Sequence, residues 1–67
     1  MSELTDFQEG IIHAVVMLQK LHDQPTAAAD ILKECGLDNV DCSDFDGYDK
    51  EALIVINEEH GMRLKGL

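Results

Sequence analysis

The sequence predicts an all-α fold, a small three-helix domain, and three features of its 67 residues carry that expectation. An apolar periodicity of three and four residues runs through 4–21, a Pro-to-Gly segment spans 25–36, and an acid-led apolar run occupies 46–61. No internal repeat or low-complexity linker divides the chain, so residues 1–67 read as a single domain. A domain of this length buries only about 60% of the surface its unfolded chain exposes. Docking on another chain is therefore an expected supplement to its stability.

The first helix is expected over Asp6–His22. Thr5 and Gln8 have capping-box spacing, in which each side chain satisfies a backbone N–H that the other leaves open. Asp6 and Glu9 then favour the positive end of the helix dipole. Leu4, Phe7, Ile11, Ala14, Leu18 and Leu21 form one seam, expected to face the core, opposite a polar side of Asp6, Glu9, His13 and Lys20. Ile12 and Val16 lie away from that seam, so the stretch IIHAVVML is apolar around more than half of its circumference. With few elements to cover it, the sequence favours a contact with another chain through Gln8, Ile12, Val16 and Gln19, a wide core face being the alternative. Gly10 costs about 1 kcal/mol relative to Ala inside a helix and would admit a close helix crossing.

The second helix is expected over Pro25–Cys35. Pro25 suits a first turn because its missing N–H has no partner there. Gly36 supplies a left-handed terminator, with Leu37 folding back onto Leu32. Ala28, Ile31, Leu32 and Cys35 share its apolar face.

Two readings compete for the third segment. A helix capped by Asp46 or Asp44 and ended by Gly61 is preferred, with Met62 closing onto Ile56. The β-branched run LIVI, turning at NEEHG into MRLKGL, gives the alternative of two helices plus a C-terminal β-hairpin.

Between the last two elements lies DNVDCSDFDGYDKE, residues 38–51, with six acids against one lysine in a chain of net charge −9. Read as a calcium loop with Gly47 at position six, it places Asp46 at five and Asp44 at three. Cys42 then falls at position one and Leu53 at twelve, so both ends of the oxygen cage are missing. Zinc lacks a paired-ligand spacing among Cys35, Cys42, His13, His22 and His60. No metal and no cofactor are expected. Cys35 reads as a small core residue and Cys42 as a loop thiol, both reduced.

No Ser or Cys stands in a nucleophile signature, no glycine-rich phosphate loop occurs, and a chain this short encloses a ligand pocket with difficulty. Catalysis is not expected. The negative charge disfavours direct contact with nucleic acid or anionic lipid, and no run of 18 apolar residues spans a membrane. The opening MSELTD is acidic where a secretory signal would be basic, so a cytoplasmic location is expected.

The expected role is that of a non-enzymatic acidic protein-binding module. Its candidate partner-binding residues are Asp38, Asp41, Asp44, Phe45, Asp46, Tyr48, Asp49 and Glu51, whose charges lie within one Debye length (about 8 Å) of one another. Phe45 and Tyr48 would serve as aromatic anchors. The partner would be a basic protein surface, such as that of a nuclease or another nucleic-acid-binding protein, which the module would inhibit as a nucleic-acid mimic. Small acidic inhibitors among phage counter-defence proteins share this physical type. The alternative is a helical assembly module, a homodimer through the apolar face of helix one, with the acids maintaining solubility. On the opposite, local reading the same aspartates do no more than cap helices and make turns.

Overall fold

The computed structural model describes residues 4–67, so the first three residues of the acidic opening stretch lie outside the described part. Three helices follow one another, α1 (Asp6–His22), α2 (Pro25–Glu34) and α3 (Gly47–His60), and each packs against both others. The all-α three-helix expectation holds, and the hairpin alternative is overturned, because the LIVI run is the middle of α3.

Local chemistry sets the ends of each helix. The Gln8 N–H donates to Thr5 Oγ1 at 3.1 Å and the Thr5 N–H to Gln8 Oε1 at 2.9 Å, completing the capping box of α1. α1 stops at Asp23, a non-glycine residue at φ 50°. Aspartate tolerates this left-handed geometry better than most residues, and here Gln19 Nε2 donates to its carboxylate at 3.1 Å.

At the end of α2, the Leu37 N–H donates to the Leu32 carbonyl at 2.8 Å and the Gly36 N–H to that of Lys33 at 3.1 Å. That pair of bonds is a Schellman closure, with Gly36 left-handed at φ 70°. The helix proper ends at Glu34, and Cys35 acts as its cap. α3 begins with Asp46, whose side chain accepts the Asp49 N–H at 2.9 Å. It ends at left-handed Gly61, where the Met62 N–H reaches the Asn57 carbonyl. The β-branched residues of α3 lower its helix propensity by only tenths of a kcal/mol each. Burial of Ala52, Leu53 and Ile56 outweighs that loss.

After Gly61 the chain is extended, though not as half of a hairpin. The Arg63 and Lys65 N–H groups donate to the carbonyls of Asp38 and Val40, and the Cys42 N–H donates to that of Lys65, all within 2.8–3.0 Å. This short parallel pairing, bridged at Asp41 and Lys65, ties the segment after α2 to the segment after α3. Met62 and Leu64 turn inward while Arg63 and Lys65 stay outside, the two-residue period of a strand. The Leu64 N–H is held by Asn57 Oδ1. Gly66 has φ 78°, and a Cβ there would lie 2.7 Å from both Asp41 Oδ1 and the Ser43 nitrogen, so the pairing requires glycine at this position.

The core contradicts the expected orientation of α1. Ile12 and Val16, expected on an intermolecular face, are 1% and 0% exposed and pack with Val15 among Ala28, Ala29, Leu32, Leu53 and Ile56. Phe7 and Leu21, expected inside, are 77% and 69% exposed. Ala14 is exposed as well, while Leu4, Ile11 and Leu18 form a partly buried border. The buried arc is thus rotated by roughly a third of a turn from the expected seam. α1 is apolar on both sides, and the side chosen carries the β-branched residues, whose stiff side chains lose little freedom on burial. The cysteines are exchanged in the same way. Cys42 is fully buried in the core and Cys35 is exposed, both as free thiols.

Ile12→Ala should therefore lower unfolding stability by about 2–5 kcal/mol, while Phe7→Ala should change it by no more than about 0.5 kcal/mol. Urea unfolding followed by circular dichroism measures both, and equal losses would contradict the assigned orientation.

Candidate functional site

The acidic stretch is contiguous in sequence but is divided three ways by the fold. Its first part, Asp38 and Asp41, belongs to the parallel pairing. The Asp38 carbonyl accepts the Arg63 N–H, and the Asp41 carboxylate accepts the Ser43 N–H at 2.9 Å. The bonds from Ser43 hold the Asp41 carboxyl below its ordinary range.

Its last part opens α3. Asp46 caps the helix, and Asp49 is 8% exposed with its carboxylate 3.8 Å from His13 Nδ1 on α1. The Glu51 carboxylate lies 2.8 Å from Lys20 Nζ on α1, which lowers its pKa. The same ammonium stands 4.3 Å from the centre of the Tyr48 ring, a cation–π contact. Tyr48 and Glu51 are thereby engaged with α1 through Lys20, which leaves them less suited to act as an independent anchor and charge.

Only the middle part, Asp44 and Phe45, joins a surface cluster. Phe45 is half-buried against the core and lines an open hollow of about 430 Å³ with Asp6, Glu9, Gly10 and His13 of α1. A smaller recess beside it is lined by Glu9, Asp44 and Phe45. An aromatic ring is thus surrounded by three carboxylates from two elements that lie more than thirty positions apart in sequence. Asp6 and Glu9 read from sequence as an ordinary solvated helix face. The capping box fixes the end of α1 from which they project, but only tertiary packing brings that end beside Asp44 and Phe45.

Next to this acidic shoulder lies an exposed apolar strip. At 3.6 residues per turn, Phe7, Gly10, Ala14, Met17 and Leu21 fall on a single strip of α1. All five are exposed, and no charged residue interrupts them. Ile31 of α2 is a further exposed aliphatic residue. A Cβ built at Gly10 would have nothing within 4 Å, so nothing in the described fold requires glycine there. Of the residues expected to form an assembly face, Ile12 and Val16 belong to the core. Gln8 and Gln19 are half-buried, engaged in the capping box and with Asp23.

Among the described residues no group of three or more His, Cys, Asp or Glu side chains could hold a metal ion, and no helix is long and apolar enough to cross a membrane. Burial pushes the Cys42 thiol up to about 11, with the neighbouring Asp41 charge adding to the effect.

The folded chain thus favours the neutral Cys42 thiol, a contribution fully present below about pH 9 and lost as pH rises toward about 11. A chromogenic disulfide reagent at neutral pH should titrate Cys35 rapidly and Cys42 only after denaturant is added. Rapid reaction of both thiols in the folded protein would contradict the burial of Cys42. No family model, no curated protein and no solved structure matches this chain, so its chemistry and geometry alone carry the functional reading.

Proposed function

We propose that this chain is a non-enzymatic protein-binding module that engages through the outer face of α1, with the acidic shoulder beside that face biasing what can approach. The exposure of Phe7 and Leu21 on an uninterrupted apolar strip is the observation that carries this reading. Exposed apolar side chains are ordinary when scattered, but a contiguous strip rimmed by charge is the pattern of an interaction site. A helix apolar around more than half of its circumference is normally covered on more than one side, and α2 and α3 cover only one side of α1. Compared with the face expected from sequence, the assembly surface is turned to the other side of the same helix.

A second reading has its own support. Phe45, set among Asp6, Glu9 and Asp44, combines an apolar anchor with a local negative field. That combination suits docking on a basic protein surface in competition with nucleic acid, the inhibitor role expected from sequence. Engagement of Asp41, Asp46, Asp49 and Glu51 within the fold weakens this reading relative to the first. Charge engaged in caps and ion pairs still contributes to the field, but it gives less direct contact.

The two readings separate in one experiment. Immobilised wild-type protein, the Leu21→Asp variant and the Glu9→Gln/Asp44→Asn double variant are compared for partner retention at low and high salt. Engagement through α1 predicts salt-tolerant retention that Leu21→Asp reduces by roughly thirtyfold, the loss of one interface anchor. Retention that Leu21→Asp leaves intact, but that collapses with salt and with the double variant, would select the basic-surface reading.

A further inference from the structure

We infer that the partner of the outer face of α1 is a second copy of this chain, laid antiparallel across it with Ala14 at the two-fold axis. This deepens the proposed function and rests on it.

The strip, taken together with its half-buried border residues Ile11 and Leu18, is arranged symmetrically along the helix. Ala14 is the midpoint of the 17-residue α1. Phe7 and Leu21 lie seven positions to either side, Gly10 and Leu18 four, and Ile11 and Met17 three. A two-fold contact uses the same patch twice and so must be complementary to itself. Antiparallel pairing about Ala14 sets Phe7 of one copy against Leu21 of the other at both ends, Ala14 against Ala14 at the centre, and the vacant side of Gly10 against Leu18 between them. Bulk at the ends and small residues in the middle let two helices cross closely without leaving a void at the rim.

Gly10 supplies independent support. It costs about 1 kcal/mol relative to Ala in a helix interior, and its surroundings within the described fold are open. A helix lying across the strip gives its missing side chain a purpose, since it brings the partner backbone nearer.

Charge along α1 selects the antiparallel direction. Acids occupy its first turn, Asp6 and Glu9, and bases its last, Lys20 and His22. An antiparallel copy sets each end beside its opposite and opposes the two helix dipoles favourably, whereas a parallel copy sets like beside like. Lys20 remains bonded to Glu51, but its ammonium has donors to spare. A two-fold axis perpendicular to both helices also sends the same flank of each copy to the same side of the pair. Both acidic shoulders then share one face of the dimer. The net charge of −9 on each copy opposes association at long range, so added salt should strengthen the dimer, the reverse of its effect on a basic partner.

Sedimentation of the wild-type chain over a concentration series, at low and high salt, provides the test. The expected result is a monomer–dimer equilibrium that tightens with salt and weakens by roughly thirtyfold in Leu21→Asp, with unchanged circular dichroism because Leu21 is exposed in the monomer. Register is read by oxidative crosslinking in a Cys35→Ser background. The Ala14→Cys chain should crosslink to itself, since facing Cα atoms on closely crossed helices come within disulfide reach. The Phe7→Cys chain should fail to self-link but join to Leu21→Cys when the two are mixed. A wild-type chain that stays monomeric under all these conditions overturns the inference, as does efficient self-linking of Phe7→Cys, which would mean a parallel pair. A monomer that still captures a different protein in a Leu21-dependent manner sinks only the choice of partner. Loss of Leu21 dependence in capture and in self-association alike sinks the underlying reading of the face as well.

Discussion

The insertion of Ile12, Val15 and Val16 between α2 and α3 is the constraint on which the rest of the structure depends. A chain this short can surround a helix on one side only, and α1 has apolar residues on both. Choosing the β-branched side as the core decides at once which residues are left outside. The outward strip from Phe7 to Leu21 is thus the remainder of a choice made by packing. The same choice turns Lys20 and His13 toward α3, where they meet Glu51 and Asp49. The placement of α3 against α1 and the composition of the outer surface both follow from one rotation of one helix.

The acidic residues contribute as much to local architecture as to surface charge. Asp46 starts α3, Asp41 makes a turn with Ser43, Glu51 pairs across to α1, and Asp23 closes α1 in a backbone geometry that few side chains tolerate. Each is a short-range task in which a carboxylate outperforms an apolar residue. A smaller acidic cluster surrounds Phe45. Its members come from the start of α1 and from the loop before α3, so it exists only once those two segments have packed. Where the charge gathers is therefore decided less by the number of acids than by how α1 and the loop before α3 pack together.

How much of this was legible in the sequence follows the range of the forces involved. The capping box at Thr5, the Schellman closure at Gly36, the Asp46 cap and the Gly61 terminator are settled within a turn of chain, and each was readable from a few adjacent residues. The orientation of α1 was not, because a helix with apolar residues on both sides of its polar stripe carries no internal signal of which of the two faces its neighbours. Phe7 fits the three-and-four spacing as well as Ile12 does, and only the volumes offered by α2 and α3 separate them. The parallel pairing of residues near 40 and near 65 was also hidden. Its two-residue period in MRLKG is short, and its partner lies across an intervening helix. The acidic cluster was half legible: Asp44 and Phe45 were named, while Asp6 and Glu9 join them through tertiary packing alone.

That pairing has a consequence for motion. α3 is bracketed, since the segment entering it and the segment leaving it are hydrogen-bonded to each other through Asp38, Val40, Cys42, Arg63 and Lys65. Neither strand of such a clasp can loosen alone, because its bonds are shared, so the two should open and exchange their amide hydrogens as one cooperative unit. Any ligand that prises the loop before α3 away from the body would release the tail beyond α3 in the same event. A disturbance at one end of the helix is thereby felt at the other without the helix itself having to bend.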